Sequence, residues 1–212
     1  MAKIKAFEEN LEQYEEWFEK NPYVYRSEVS AIKKAIPQSG EGVEIGVGSG
    51  RFASPLDIKY GVDPSREMRK IAKERGIKVC SGIAEDLPYM DDQFDFALMV
   101  TTLCFLDDVY TAFREVHRIL RPNGYFIVGF VDGESSIGEL YQKNKNKSVF
   151  YKDAIFYSVY DVTFYLKESG FTDFTFYQTL FKPMHLVTEI EPVKQGYEEG
   201  SFIVVKSKKK GV

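Results

Sequence analysis

Hydrophobic positions along the chain follow two different periods. Across Phe7–Phe18, apolar and aromatic side chains recur every three or four residues, which predicts an amphipathic helix with an aromatic face. Asn21 and Pro22 have the form of an N-cap followed by a first-turn proline, so a second helix is expected to run from there to about Pro37. Two helices should therefore precede the first strand.

From Gly42 onward, short apolar runs alternate with helical patterns. The apolar runs predict seven strands: Val43–Gly46, Tyr60–Val62, Ile77–Cys80, Phe94–Val100, Tyr125–Val131, Phe171–Phe181 and Ser201–Lys206. Helices are expected between them over Pro64–Arg75, Asp107–Leu120 and Ser158–Ser169. This alternation indicates a doubly wound α/β fold, a mostly parallel sheet with helices on both faces and an N-terminal helical cap. The short polar connection before the last strand indicates that this strand is antiparallel.

The composition is that of one well-packed domain rich in aromatic side chains. The chain has 212 residues, of which 15% are aromatic, which favours a packed sheet or an aromatic-lined pocket. A formal net charge of −4 argues against nucleic acid or an anionic membrane as a partner, since both need a basic face. With no signal-peptide pattern and no run of ~18 apolar residues, the protein is expected to be cytoplasmic. Cys80 and Cys104 lack metal-ligand spacing, so free thiols and no metal site are expected.

The densest chemical signal follows the first predicted strand. Between Glu44 and Gly50, glycines stand at every second position, where a bare backbone can approach a ligand closely. A strand-to-helix turn without a ligand would need the same glycines. Asp63 ends the next strand, and its carboxylate could bind the two hydroxyls of a ribose or cap the helix that begins at Pro64.

Two nucleoside cofactors use such a glycine loop. The dinucleotide fingerprint spaces its glycines GxGxxG, whereas this chain has GxGxG with Glu44 two residues before the first glycine. A carboxylate in that place suits a positively charged ligand better than a phosphate. S-adenosylmethionine, with its sulfonium and ammonium groups, is such a ligand.

The motifs of the chain, taken in order, resemble those of a known family. Glu44–Gly50 resembles the first motif of the class I S-adenosylmethionine-dependent methyltransferases of the small-molecule, methyltransferase type 11-like kind. Further segments resemble the second motif, the adenine-side loop, the fourth strand, and the helix and turn before the fifth strand: Gly61–Ser65, Gly82–Pro88, Phe94–Leu98 and Glu115–Gly124.

The resemblance implies a fold, a cofactor and a division of the chain. The implied sheet has seven strands in the order 3-2-1-4-5-7-6 with the last strand antiparallel. The cofactor would be S-adenosylmethionine, with S-adenosylhomocysteine as the product. Residues 1–212 would form one methyltransferase domain with four parts: a helical cap (1–41), a donor-binding core (42–131), an acceptor-side insertion and helix (132–170), and a C-terminal strand pair (171–212).

The resemblance also implies the residues that bind the cofactor. They are Glu44, Gly46, Gly48 and Gly50 at the methionine and ribose, Asp63 at the ribose hydroxyls, Pro64, Ser65 and Met68 beside the adenosine, Ala84 and Glu85 beside the adenine, and Thr101 and Leu103 at the methionine end. Thr101 could instead be a strand-end hydroxyl that bonds to backbone. Ile83 stands where the family often has an acidic residue, which leaves the adenine to backbone groups and packing. Few residues separate Gly50 from Gly61, so the first crossover helix should have only two turns.

Methyl transfer from a sulfonium is an in-line displacement that needs mainly alignment of the two reactants and exclusion of water. The sequence offers no convincing general base. Asp132, at the end of the fifth strand, is the one weak catalytic candidate, with a turn or cap role as the alternative.

Tyr14, Trp17 and Phe18 could form a lid over the donor, or could simply dock the first helix on the sheet. The expected activity is methylation of a small-molecule acceptor. A non-catalytic protein that binds S-adenosylmethionine or S-adenosylhomocysteine, and an NAD-dependent oxidoreductase, remain alternatives. The oligomeric state is not predicted.

Overall fold

A mixed sheet of eight strands runs through the computed structural model, which describes residues 4–210. The strands are β1 (Gly42–Ile45), β2 (Tyr60–Val62), β3 (Lys78–Cys80), β4 (Phe94–Val100), β5 (Leu120–Val131), β6 (Phe171–Thr179), β7 (Lys194–Gln195) and β8 (Phe202–Lys209). Their order is β3-β2-β1-β4-β5-β8-β6-β7. Strands β1 to β5 pair in parallel, and β8 is antiparallel to both β5 and β6.

The predicted order of seven strands and the antiparallel last strand are confirmed. The two-residue β7, which pairs with β6 at the sheet edge, was not predicted because it is too short to show a period. Residues 1–3 and 211–212, which belong to the predicted first and last parts of the chain, lie outside the described residues.

Seven α-helices surround the sheet in the described part of the chain: α1 (Lys5–Glu9), α2 (Leu11–Lys20), α3 (Pro22–Ala35), α4 (Arg66–Glu74), α5 (Val109–Ile119), α6 (Ser136–Asn144) and α7 (Val159–Glu168). Helix α6 falls in a polar stretch where no helix was expected, and Ser135 caps it by accepting a hydrogen bond from the Gly138 backbone. No helix between residues 4 and 210 is long and apolar enough to cross a lipid bilayer.

The N-terminal cap differs from the prediction at two asparagines. The expected single helix over Phe7–Phe18 is broken at Asn10, whose backbone is non-helical and whose side chain donates to the Ala6 carbonyl at 2.9 Å. Asn21 stands before Pro22 as expected, but its side chain donates back to the Trp17 carbonyl at 2.9 Å. Asn21 therefore closes α2 with its side chain rather than capping α3.

The first crossover between β1 and β2 contains no helix, so the prediction of a two-turn helix is wrong. The segment instead folds into consecutive turns, with the Ser54 amide donating to the Gly50 carbonyl at 3.1 Å and the Ile58 amide donating to the Ala53 carbonyl at 2.9 Å. The segment is too short to complete two helical turns and also reverse direction into β2.

The core lies on both faces of the sheet. In the central strand β4, Ala97 and Met99 pack with α5 and α7 on one face, while Leu98 and Val100 pack with α2, α3 and the glycine loop on the other. Because parallel strands of this kind are covered on both sides, β4 is apolar at nearly every position.

Truncation of a buried side chain in β4 should lower the stability of the protein. Leu98 is fully buried, so Leu98→Ala is expected to lower the free energy of unfolding by ~2–5 kcal/mol through lost burial and an unfilled cavity. Leu186→Ala is the control, since Leu186 is 52% exposed and its truncation should change the stability by less than ~0.5 kcal/mol. Urea unfolding of the two variants measures the difference, and equal losses would contradict this account of the core.

Candidate active site

The carboxyl ends of β1, β2 and β4 open into a cavity of about 320 Å³, which we call the glycine-loop cavity. Ligands bind at this edge in doubly wound sheets, and the volume lies in the range of small-molecule sites. Most of the positions predicted to bind cofactor line it: Glu44, Gly46, Gly48, Asp63, Pro64, Ser65, Met68, Ala84, Glu85 and Thr101. Tyr14 of α2 lines it as well.

Two of the predicted positions do not line this cavity. Gly50 has a φ of +86°, and a Cβ there would lie 2.4 Å from Ile77, so this glycine serves the turn and its packing. Leu103 is 2% exposed and packs in the core behind the site. Gly48, in contrast, has a φ of +53° and faces the cavity, where a Cβ would have the Tyr14 hydroxyl as its nearest neighbour at 3.2 Å.

The carboxylate of Asp63 joins the glycine loop to the end of β2. It accepts hydrogen bonds from the Gly48 amide at 2.9 Å and from the Ser65 amide at 2.8 Å. Burial raises the pKa of Asp63, and these two bonds oppose that rise. Ser65 provides the side-chain cap of α4, by accepting from the Met68 amide at 3.3 Å. Asp63 is therefore a bridging group, with lone pairs that remain for hydroxyls in the cavity.

Glu44 places a second carboxyl at the same cavity. It is 1% exposed, and its Oε2 has no hydrogen-bond partner among the described residues. Burial, reinforced by the charge of Asp63, holds the pKa of Glu44 well above its usual value. A buried acceptor without a partner costs free energy, and a ligand that brings a cation or donor removes that cost.

Side chains of α5 hold the loop over residues 82–88 by hydrogen bonds to its backbone. Glu115 accepts a hydrogen bond from the Leu87 amide at 2.9 Å, and Arg118 donates to the Leu87 carbonyl at 3.0 Å. The Glu85 carboxylate accepts from the Asp107 amide at 3.0 Å, so it ties two loops together. Ile83 is 39% exposed and lines the cavity, which leaves apolar surface and backbone groups at this edge.

A second cavity of about 560 Å³ adjoins the first, and we call it the aromatic cavity. Its rings come from α2, the first crossover, α6 and the segment before α7: Tyr14, Trp17, Phe18, Phe52, Tyr141, Phe150 and Tyr151. Tyr14, Phe52 and Thr101 line both cavities, so the two spaces meet at these side chains.

Thr101 is held in a strained conformation where the cavities meet. Its φ is +51°, which is uncommon for a residue other than glycine and costly for a β-branched side chain. Its amide donates to the Gly129 carbonyl of β5 at 2.8 Å, which fixes the strand end in this geometry. Such strain is typical of functional sites.

The predicted lid residues occupy three different environments. Phe18 is 6% exposed and packs against Tyr25 and Phe52, which is a docking role. Trp17 lines the aromatic cavity, and Tyr14 lines both cavities. Burial, together with the nearby charges of Glu44 and Asp63, raises the pKa of Tyr14, so its hydroxyl stays protonated.

Helix α2 is attached to the glycine loop by two arginines. Arg51 and Arg75 donate to the same Glu15 carboxylate at 2.7 and 2.6 Å, and Arg75 also donates to the Ser49 carbonyl at 2.6 Å. Burial works against ionisation of Glu15, but the hydrogen bonds from the two arginines outweigh it and lower its pKa. The charged cluster therefore fixes Tyr14 above the loop.

Asp132, the weak catalytic candidate, lines neither cavity. Its carboxylate accepts a hydrogen bond from the Glu134 amide at 3.3 Å, as a turn residue does.

The sequence analysis did not identify the buried carboxyl of the aromatic cavity. Glu28 of α3 lines the aromatic cavity and is 5% exposed. The helical period contained the signal, because Glu28 lies four residues from both Val24 and Ile32 on the buried face.

Comparison with known proteins identifies the family to which the chain belongs. A family model described as a methyltransferase domain matches residues 43–128. The chain is 45% identical over 206 residues to an uncharacterized protein of Methanocaldococcus jannaschii, which covers 97% of this chain and 100% of that protein.

Solved structures include similar proteins at two levels of identity. A SAM-dependent methyltransferase, possible histamine N-methyltransferase, from Thermotoga maritima is 52% identical with a TM-score of 0.95, over 97% of this chain and 98% of that chain. The YcgJ protein of Bacillus subtilis has a TM-score of 0.62 at 19% identity, over 89% of this chain and 100% of that chain, and shows a shared fold.

The attachment of α2 should depend on the charge of Glu15. Its pKa is lowered in the folded protein, so its contribution is present above the usual value of 4.5 and is lost as the pH falls through the folded value. Trp17, the single tryptophan, reports on α2 by its fluorescence. In wild type, Trp17 fluorescence should change as acid protonates Glu15. Glu15→Gln is expected to show this changed fluorescence already at pH 7, together with faster amide hydrogen exchange in α2.

Glu16→Gln is the matched control on the same helix, because Glu16 is exposed and pairs only with Lys20 in the described part of the chain. An unchanged Trp17 signal and unchanged exchange in Glu15→Gln would show that packing alone holds α2.

Proposed function

Because the chain belongs to the class I S-adenosylmethionine-dependent methyltransferases, we propose that it transfers the methyl group to a small-molecule acceptor bound in the aromatic cavity. The enzyme class and the cofactor follow from the family, which removes the nicotinamide alternative. The observation that carries the finer proposal is the pair of adjoining cavities, which meet at Tyr14, Phe52 and Thr101.

The residues of the glycine-loop cavity fit the cofactor in charge and in shape. Asp63 would bind the ribose hydroxyls while it keeps its two backbone hydrogen bonds. The unpartnered oxygen of Glu44 suits the cationic methionine end, and Gly48 leaves room for the donor beside the loop. Backbone groups at Ala84 and Glu85 would border the adenine, since the Glu85 carboxylate is already engaged.

The chemistry requires little from the protein beyond placement. Bound S-adenosylmethionine supplies an electrophilic methyl group on a sulfonium, which is a good leaving group. The strained strand end at Thr101 and the ring of Tyr14 would hold donor and acceptor in line, which can contribute several kcal/mol. Tyr14 and Trp17, carried on α2, would exclude water as a lid, while Phe18 packs beneath them.

Three observations favour a small acceptor over a macromolecule. The aromatic cavity has the volume of a small-molecule site, and rings dominate its wall. The formal net charge of −4 does not favour nucleic acid. The Thermotoga maritima relative is described as a possible histamine N-methyltransferase, and histamine is a small molecule. On this basis, residues 42–131 would form the donor part, and the flanking segments would supply most of the acceptor part.

Loss of the Asp63 carboxylate should weaken donor binding. Asp63→Ala is expected to raise the dissociation constant of S-adenosylmethionine more than tenfold, a loss of over ~1.4 kcal/mol, because the ribose and the glycine loop both lose an acceptor. Isothermal titration calorimetry measures it. Glu67→Ala, which removes an exposed acid from α4 outside the cavity, should leave the constant unchanged. Equal affinities for Asp63→Ala and wild type would remove Asp63 from the site.

Turnover is tested with methyl-labelled S-adenosylmethionine, a metabolite extract and, separately, total RNA. Label should appear in small molecules of the extract and not in the RNA. Label in RNA would contradict the small-molecule proposal. Repeated absence of any labelled product despite donor binding would favour a non-catalytic binding protein.

A further inference from the structure

The aromatic cavity contains one buried carboxyl whose purpose the methyl transfer does not explain. Glu28 lies on the buried face of α3 and is 5% exposed. Its carboxyl makes no hydrogen bond and no ion pair with any group in residues 4–210, and burial alone shifts its ionisation. The residue lines the aromatic cavity, so the open side of the carboxyl is the cavity itself.

Three phenol groups lie within electrostatic reach of Glu28. Tyr141 of α6 and Tyr151 stack at 5.0 Å between ring centroids. Burial raises the pKa of both hydroxyls, and a negative charge on Glu28 adds to that rise. Burial also raises the pKa of Tyr25 on the same helix, and a negative charge on Glu28 contributes to that rise. Lys147 is the other charged residue that lines the cavity, and it is exposed at the rim. The inner wall of the cavity therefore combines one carboxyl group with electron-rich rings.

Burial of this carboxyl costs free energy, and a bound cation would offset that cost. Burial raises the pKa of Glu28 to about 8, so an empty cavity favours the neutral acid near pH 7. An apolar side chain at this position would fill the same helix face without that penalty. A carboxylate among aromatic faces is the arrangement by which proteins bind ammonium groups, through a charge-assisted hydrogen bond and cation–π attraction.

We propose that Glu28 binds a basic nitrogen of the methyl acceptor, which makes the substrate class small amines with an apolar or aromatic body. The proposal rests on the proposed function, since it names the acceptor of the same site. Binding of an ammonium group would ionise Glu28, and the carboxyl proton would pass to the solvent. Whether the bound nitrogen or another atom receives the methyl group does not affect the assignment.

The test compares three probes that share a phenyl ring and differ in charge: 2-phenylethylamine, 2-phenylethanol and 3-phenylpropanoate. Each is titrated at pH 7 into the full chain saturated with S-adenosylhomocysteine. Wild type is expected to bind the amine at least tenfold more tightly than the alcohol or the carboxylate. Glu28→Gln should lose that tenfold preference, and Glu28→Asp should keep part of it.

Proton release provides a readout that a structural role would not produce. The trimethyl(2-phenylethyl)ammonium ion cannot lose a proton, so protons released when it binds come from the protein. Titration in two buffers of different ionisation enthalpy should show release in wild type and none in Glu28→Gln. The control Glu12→Gln removes an exposed acid from α2 outside the cavity and should behave as wild type.

The outcomes separate this proposal from the proposed function. Failure of wild type to bind S-adenosylhomocysteine would count against the proposed function itself. Binding of S-adenosylhomocysteine with an amine that binds no better than the alcohol, or not at all, would overturn the role of Glu28 alone. If 3-phenylpropanoate bound most tightly of the three probes, the role of Glu28 would also be overturned, and Lys147 would be the group that binds the ligand. Since Glu28 does not line the glycine-loop cavity, Glu28→Gln should keep the wild-type affinity for S-adenosylhomocysteine, which also verifies its fold.

Discussion

The hydrogen bonds of the Asp63 carboxylate are the interaction on which the rest of the site depends. One oxygen holds the Gly48 amide of the loop after β1, and the other holds the Ser65 amide at the start of α4. The amides of Gly46 and Val47 also donate to the Val62 carbonyl at the end of β2. The ends of the first two strands and the start of α4 therefore form one rigid unit. Arg51 follows the glycine loop and Arg75 ends α4, and both donate to Glu15 of α2, so α2 is held by the same elements that form the glycine-loop cavity.

This part of the molecule was predictable because its signals are local. Glycines at alternate positions need positive φ angles, and an acidic residue at the next strand end can lie only beside them once the strands are parallel. The strand order was implied by the family resemblance that the ordered motifs carry. The short crossover was recognised, but its turns could not be told from a helix, because nothing in the period of so few residues separates the two.

The parts that were wrong or missed depend on tertiary contacts. Asn10 and Asn21 each donate a side-chain amide to a carbonyl four residues earlier, and a sequence cannot tell this bond from a forward cap. Gly50 carries the family motif but serves packing against Ile77. Glu28 stood in the apolar stripe of α3 and could have been noticed there. Its place in a cavity with Tyr141, however, requires α6, which the polar pattern of that region conceals.

The aromatic residues of α2 differ in how much of each ring is available to a cavity. Phe18 lines the aromatic cavity but is largely enclosed by other rings and contributes mainly packing. Tyr14 and Trp17 line the cavities with more exposed rings. Each cavity is also lined by a buried glutamate whose pKa is raised by burial, Glu44 in the first and Glu28 in the second. Both lower the stability of the free protein as the pH rises from the usual glutamate value, because folding holds a proton that the unfolded chain releases. A sulfonium donor and an ammonium acceptor would repel each other across the shared wall. A separate carboxyl for each cation offsets that repulsion. This gives a physical reason why one site keeps two buried glutamates although each lowers the stability of the free protein.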